Sequence, residues 1–193
     1  MIPGVILAAG LSTRMGRSKA LLTTAAGATF VAQLVSTLLE GGVADALVVG
    51  RPDDRPLRHE VDRIHGRVQF IENPRAEQGQ LSSVIAGLNA ADRPGTAAIL
   101  VTPVDLPLVR PESVAALLAA FASSKHSIVR ASHGGKHGHP VIFGRPVFAA
   151  LRRADPDIGA KAVVRSHDVL DVEVGDAGVL YDIDTPDDYE RIR

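Results

Sequence analysis

The stretch from Val5 to Leu22 reads VILAAGLSTRMGRSKALL. A short apolar run ends at Ala8, Ala9 and Gly10; three hydroxyls, two arginines, a second glycine and a lysine follow. An apolar run of this length stopped by glycine has the form of a buried strand entering a loop. In an open α/β sheet such a loop stands at the carboxyl end of its strand, where ligands bind. Ala8, Ala9 and Gly10 leave room for a ligand to approach the backbone, and the amides of a glycine turn can cradle an anion. Arg14, Arg17 and Lys19 add positive charge, so the loop suits a polyphosphate. Basic residues are also common in solvated loops, and charge alone does not decide between the two.

Outward from this loop, apolar runs of strand length alternate with helical patterns. Strands are predicted at GVILAA, at ALVVG from Ala46, VQFIEN from Val68, AAILVTP from Ala97 and HSIVRAS from His126. Helices are predicted over TFVAQLVSTLLEGG, RPLRHEVDRI, LSSVIAGLNAA and PESVAALLAAFASS. Gly41-Gly42 gives a helix stop, and Pro111 with Glu112 a helix start. This alternation predicts an α/β fold, a three-layer, doubly wound, mostly parallel Rossmann-like sheet. Past His126 the pattern loosens. HPVIFGRPVFAALRRA reads as strand, turn and helix, VLDVEVGD and GVLYDID as short strands, and TPDDYERIR as a last helix. This is the form of a small β-rich C-terminal subdomain on one domain spanning residues 1–193. SHGGKHGHP is the nearest thing to a linker and is too short to separate domains.

Composition agrees with that plan. Hydrophobic residues make up 46% but aromatic ones only 4%, so the core is aliphatic, as buried parallel strands require. A net charge of −1 gives no reason to expect nucleic acid. No cysteine is present, which excludes disulfides and thiolate metal sites. No apolar window approaches the ~18 residues of a membrane span. The N-terminal run lacks the basic-then-apolar pattern of a signal peptide, and a cytoplasmic location is expected.

Two familiar phosphate motifs are absent. G-x-x-x-x-G-K-[ST] fails because five residues separate Gly10 from Gly16, which Arg17 follows; G-x-G-x-x-G does not occur. The string L-A-A-G-x-S-x-R-M-G-x-x-K, written here as Leu7, Ala8, Ala9, Gly10, Ser12, Arg14, Met15, Gly16 and Lys19, instead resembles the signature of the MobA/MocA-like nucleotidyltransferases. The resemblance runs from Leu7 to Ile192. It implies a fold of the glycosyltransferase-A, or nucleotide-diphospho-sugar transferase, type and a nucleoside triphosphate on the loop.

A triphosphate calls for Mg²⁺, which binds phosphates through one or two protein carboxylates and keeps several waters. Asp105 follows the most apolar strand, in ILVTPVDLPLV, at the rim where ligands bind. In the resembling family a D-x-P here is a metal ligand. In YDIDTPDDYERI, helix capping accounts for Thr185, Pro186, Asp187 and Asp188 but leaves Asp182 and Asp184 unexplained. The resemblance implies that Asp184, just before the TP pair, completes the metal site. Gly79, Ser82 and Ser83 match a family segment that contacts base and ribose, although either serine could serve only as a helix cap.

His133, His137 and His139 crowd SHGGKHGHPVIF. Zinc is a poor reading of them, because H-x-x-x-H converges on one metal only on a helix and the glycines oppose one. The resemblance implies instead that Gly138, His139 and Pro140 line the acceptor pocket. DIGAKAVVR matches a further family stretch through Asp157, Gly159, Ala160 and Lys161, with Pro156 replacing the usual glycine. Thr23 and Leu106 also depart from the family pattern.

The resemblance implies attack by an acceptor phosphate on the α-phosphate of the triphosphate, with pyrophosphate leaving. Asp105 and Asp184 would hold Mg²⁺, Lys19 would stabilise charge on the α-phosphoryl group, and Arg14 with amides near Gly10 and Gly16 would grip pyrophosphate. Cytidylyl-transferring relatives read LAAG where guanylyl-transferring ones read LAGG, and Ala9 therefore favours CTP. The implied acceptor is molybdopterin or its molybdenum form, with a molybdoenzyme or its accessory protein as partner. Residues 1–125 are the expected nucleotide-binding half and 126–193 the acceptor-binding half. A nicotinamide-dependent oxidoreductase, a sugar- or polyol-phosphate cytidylyltransferase and a non-catalytic cofactor carrier remain alternatives.

Overall fold

The computed structural model describes residues 1–10 and 15–193. Ser12 and Arg14 lie outside the described residues. Seven strands form one sheet: β1 (Gly4–Leu7), β2 (Ala46–Gly50), β3 (Val68–Glu72), β4 (Ala98–Pro103), β5 (Ile128–His133), β6 (Lys136–Gly144) and β7 (Val169–Glu173). Their order is β3-β2-β1-β4-β6-β5-β7. β3, β2, β1 and β4 run parallel, β6 is antiparallel to β4 and β5, and β7 is parallel to β5. The sheet is the expected mostly parallel α/β one, and the β-rich C-terminal part continues it rather than forming a separate sheet.

Strand parity sorts the core into two layers. Ile6 and Ala8 face one side, with α1 (Phe30–Glu40), α2 (Arg55–Arg63) and α4 (Pro111–Ser123). Val5 and Leu7 face the other, with α3 (Gln80–Ala91), α5 (Phe148–Arg153) and α6 (Ala160–Arg165). Every residue of β1 and β2 is buried, as strands covered on both faces must be. The large side chains sealed in the core are Leu and Ile, with Phe30 the aromatic exception.

Two glycines mark where helices approach other elements most closely. α1 is capped at its start by the Thr29 side chain and stops at Gly41, where a Cβ would stand 2.5 Å from Val114 of α4. Gly87 lies in α3, and a Cβ there would meet Val5 Cγ1 at 2.3 Å. The helix therefore carries a residue of poor helical propensity because nothing larger fits against β1.

Two expectations need correction. SHGGKHGHP is not linker-like: it is the tip of the β5–β6 hairpin, with Gly134 and Gly135 at φ +56° and +75°. Two consecutive positive-φ residues are what a tight hairpin turn demands. GVLYDID is not a strand. Ala177–Leu180 is a short 3-10 turn, fixed by the Asp176 carboxylate accepting from the Gly178 amide. A last helix, α7 (Pro186–Glu190), has the expected Thr185 cap, strengthened into a capping box by Asp188.

Candidate active site

The carboxyl ends of β1 and β4 lie side by side, with Leu7 paired to Pro103. The chain leaving β1 continues pairing for one residue, as Ala8 N donates to Val49 O, and then turns at Ala9 and Gly10. A cleft of about 330 Å³ opens there. Leu7, Ala8, Ala9, Gly10, Lys19, Gly79, Ser83, Asp105 and Asp184 line it, together with Ala76 and Gln80.

Lys19 is the centre of this arrangement. It begins a 3-10 turn (Lys19–Leu21), and its Nζ donates to Asp105 Oδ2 at 2.9 Å and to Asp184 Oδ1 at 2.5 Å. Burial would lower the pKa of this ammonium, but the hydrogen bonds to Asp184 and Asp105 outweigh it and hold the value above that of an ordinary lysine. Asp182 stands nearby. Partial burial, and then the charges of Asp105 and Asp184, raise its carboxyl above the usual range. Among the described residues no group of three or more His, Cys, Asp or Glu side chains forms a metal cluster. Two carboxylates turned to one point suit magnesium, whose other ligands are water and phosphate oxygens.

Of the remaining expected residues, Ser82 and Gly16 are not among those that line the cleft. Ser82 and Ser83 do not cap α3; Gly79 holds the cap position at φ +88°. Both hydroxyls accept instead from Nδ2 of the buried Asn73, at 2.8 and 3.0 Å. Gly16 is exposed and Met15 packs in the core. Gly138 and His139 line an adjoining cavity of about 610 Å³, which shares Leu7 and Gln80 with the first; Pro140 is buried. Gly138 is also required by packing, because a Cβ there would stand 2.1 Å from Val179 O. Burial, with the charge of Arg130, lowers the pKa of His139 against the opposing pull of Asp105. His133 and His137 do not converge. His133 Nδ1 stands 3.4 Å from Glu173 and His137 Nδ1 3.4 Å from Asp171, so the two imidazoles face different carboxylates.

Three contributors escape the sequence reading. Arg51, just past β2, donates from Nε to the Ala9 carbonyl at 3.1 Å and braces the turn. Asn73, just past β3, organises the two serines. Tyr189 of α7 donates to Thr23 O at 2.9 Å, and Arg17 stands 5.2 Å from its ring centroid. A polar residue one position beyond a strand was the available signal for Arg51 and Asn73.

An open, mostly parallel sheet with a lysine and two aspartates over a small-residue turn defines an α/β protein of the nucleotidyltransferase fold type. The description MobA-like NTP transferase domain matches residues 4–172, and the chain belongs to that family. It is 30% identical to the purine catabolism protein PucB of Bacillus subtilis, over 98% of this chain and 95% of that one. It is 28% identical to the molybdenum cofactor cytidylyltransferase of Escherichia coli K12, over 96% and 92%, and molybdenum cofactor guanylyltransferases are also among its relatives. The crystal structure of Rv0371c from Mycobacterium tuberculosis H37Rv in complex with manganese superposes with a TM-score of 0.78 at 28% identity, covering 99% of this chain and 96% of that one.

Proposed function

We propose that this chain is a Mg²⁺-dependent nucleotidyltransferase that moves CMP from CTP onto the phosphate of a molybdopterin-type acceptor. The observation that carries the proposal is the bridge from Lys19 Nζ to Asp105 and Asp184, set beside the turn from Ala8 to Gly10. An oxygen of the acceptor phosphate attacks the α-phosphorus of CTP. The bond from that phosphorus to the oxygen bridging toward the β-phosphate breaks, and pyrophosphate carries the electron pair away. The attacking phosphate is already ionised at neutral pH, so no general base is required. Catalysis reduces to alignment and to stabilising charge.

In this reading the triphosphate lies along the turn, with backbone amides near Gly10 and Gly16 and the Arg14 side chain around the departing pyrophosphate. Lys19, fully protonated, offsets charge on the α-phosphoryl oxygens. Asp105 and Asp184 hold Mg²⁺, which when bound neutralises phosphate charge and orients the triphosphate. Gly79, Ser82 and Ser83 receive ribose and base. Ala9 is 5% exposed and lines the cleft, and its methyl favours the smaller pyrimidine. Gly138, His139 and Pro140 border the acceptor. Residues 1–125 thus serve the nucleotide and 126–193 the acceptor, in an enzyme that works in the cytoplasm and passes its product to a molybdoenzyme or accessory protein.

Thermal denaturation with each of the four nucleoside triphosphates, with and without Mg²⁺, tests the nucleotide half, since a ligand that binds the native state raises the midpoint. The largest rise is expected with CTP and Mg²⁺, followed by pyrophosphate release when molybdopterin is added. A flat response to all four nucleotides overturns the proposal; turnover of GTP in preference to CTP overturns the choice of base.

A further inference from the structure

The second cavity has a one-sided charge. Arg130, Lys161 and Arg165 line it with His137 and His139, against one carboxylate, Asp157. Arg130 is fixed in place. It sits on β5 opposite Asp171, its register partner on β7. Nε donates to Asp171 Oδ1 at 2.8 Å and Nη2 to Oδ2 at 3.2 Å, and the arginine side chain is 20% exposed. His137 Nδ1 stands 3.4 Å from the same carboxylate. The guanidinium has more N–H groups than this pair uses, and a planar fork already oriented loses little freedom when it binds an anion. Arg130 lines this second cavity and not the nucleotide cleft.

We infer that Arg130, held in place by Asp171, receives a second anionic group of the acceptor, an oxyanion or thiolate remote from its reacting phosphate. The inference rests on the nucleotidyltransferase reading above. Arg130 then sets acceptor specificity, and Asp171 is a positioning residue. His139 lines the same cavity as Arg130.

An ion pair between neighbouring strands at a sheet edge could instead only fasten β7. Binding measurements on the purified chain with molybdopterin as the probe separate the two, using pterin fluorescence and melting temperatures in parallel. Arg130→Met is expected to weaken molybdopterin about tenfold or more, the loss typical of one hydrogen bond to a charged group. Asp171→Asn should weaken it less, Asp171→Glu should recover part of the loss, and the CTP-induced thermal shift should not change. Arg130→Lys keeps the charge without the fork and covers the case in which the methionine variant does not fold. A fall in melting temperature at unchanged molybdopterin affinity overturns the inference and leaves the pair as a fastener. A wild-type chain that answers CTP but not molybdopterin also overturns it, while sparing the nucleotide site. No response to any nucleotide with Mg²⁺ overturns the nucleotidyltransferase reading itself.

Discussion

The amide of Ile183 donates to the carbonyl oxygen of Asp105 at 2.9 Å, and this one backbone bond sets the two site aspartates side by side. Ile183 is fully buried, so the segment before α7 is anchored at that point. The next side chain, Asp184, reaches Lys19 from there. Asp105 arrives at the same nitrogen from the end of β4.

The isosteric changes Asp105→Asn and Asp184→Asn therefore keep the backbone clamp and remove charge alone. Each is expected to lower pyrophosphate release by about 100-fold or more, the scale on which removal of one electrostatic contact at a reacting centre acts. The melting temperature should shift little. Wild-type rates from either variant would refute the metal-site assignment.

Lys19→Met leaves two carboxylates facing one another without their bridging cation. Like charges so placed repel, and a divalent cation gains affinity for the pair. The variant should melt lower than wild type in the presence of a chelator, and Mg²⁺ should raise its melting temperature more than it raises that of wild type. An identical response to Mg²⁺ in both proteins would contradict the convergence of these groups on one ion.

Gly87→Ala improves helical propensity by about 1 kcal/mol yet places a methyl 2.3 Å from Val5 Cγ1. Overpacking of this kind costs about 1–3 kcal/mol, so the net change in urea unfolding should be destabilising. Gly10→Ala is the contrast, because among the described residues a Cβ at Gly10 has nothing within 4 Å. Its stability should be unchanged while nucleotide affinity falls. A stabilised Gly87→Ala protein would show that α3 does not pack on β1 this closely.

Asp176 supplies a dependence on pH. Burial alone would raise its pKa, but the Ser113 hydroxyl, the amides of Arg110 and Gly178 and the Arg110 charge together hold the carboxyl below the ordinary range. A depressed folded-state value means stability present above the unfolded pKa, about 3.9, and lost as pH falls through the folded one. Asp176→Asn should cost about 1–3 kcal/mol at pH 7 and show a shallower loss below about pH 4 than wild type. Parallel stability curves in acid would assign the loss to other carboxylates.

Much of this was legible in the sequence, and the reasons are physical. Strands β1, β2 and β4 are buried on both faces, so their apolar runs carry no ambiguity of register. The caps at Gly41 and Thr185 are local chemistry and can be read locally. Residues 178–184 read as a strand because Val179, Leu180 and Ile183 imitate a short one, while the bond from the Gly178 amide to Asp176 that sets the turn has no pattern of its own. The bridge at Lys19 joins residues 86 and 165 positions apart, and no periodicity encodes such a meeting. Asn73 and Arg51 are single polar residues at strand ends, and only the serines and the Ala9 carbonyl that they reach give them meaning.

The spacing of the Lys19 cluster along the chain has a consequence in time. A growing polypeptide that has left the ribosome only through β6 contains the β1 turn, Lys19 and Asp105, but not Asp184. Such a nascent chain carries only one of the two carboxylates that reach Lys19 and awaits the other until residue 184 emerges. The order of synthesis thus keeps the Lys19 bridge incomplete until the residues of β7, the edge strand, have been made.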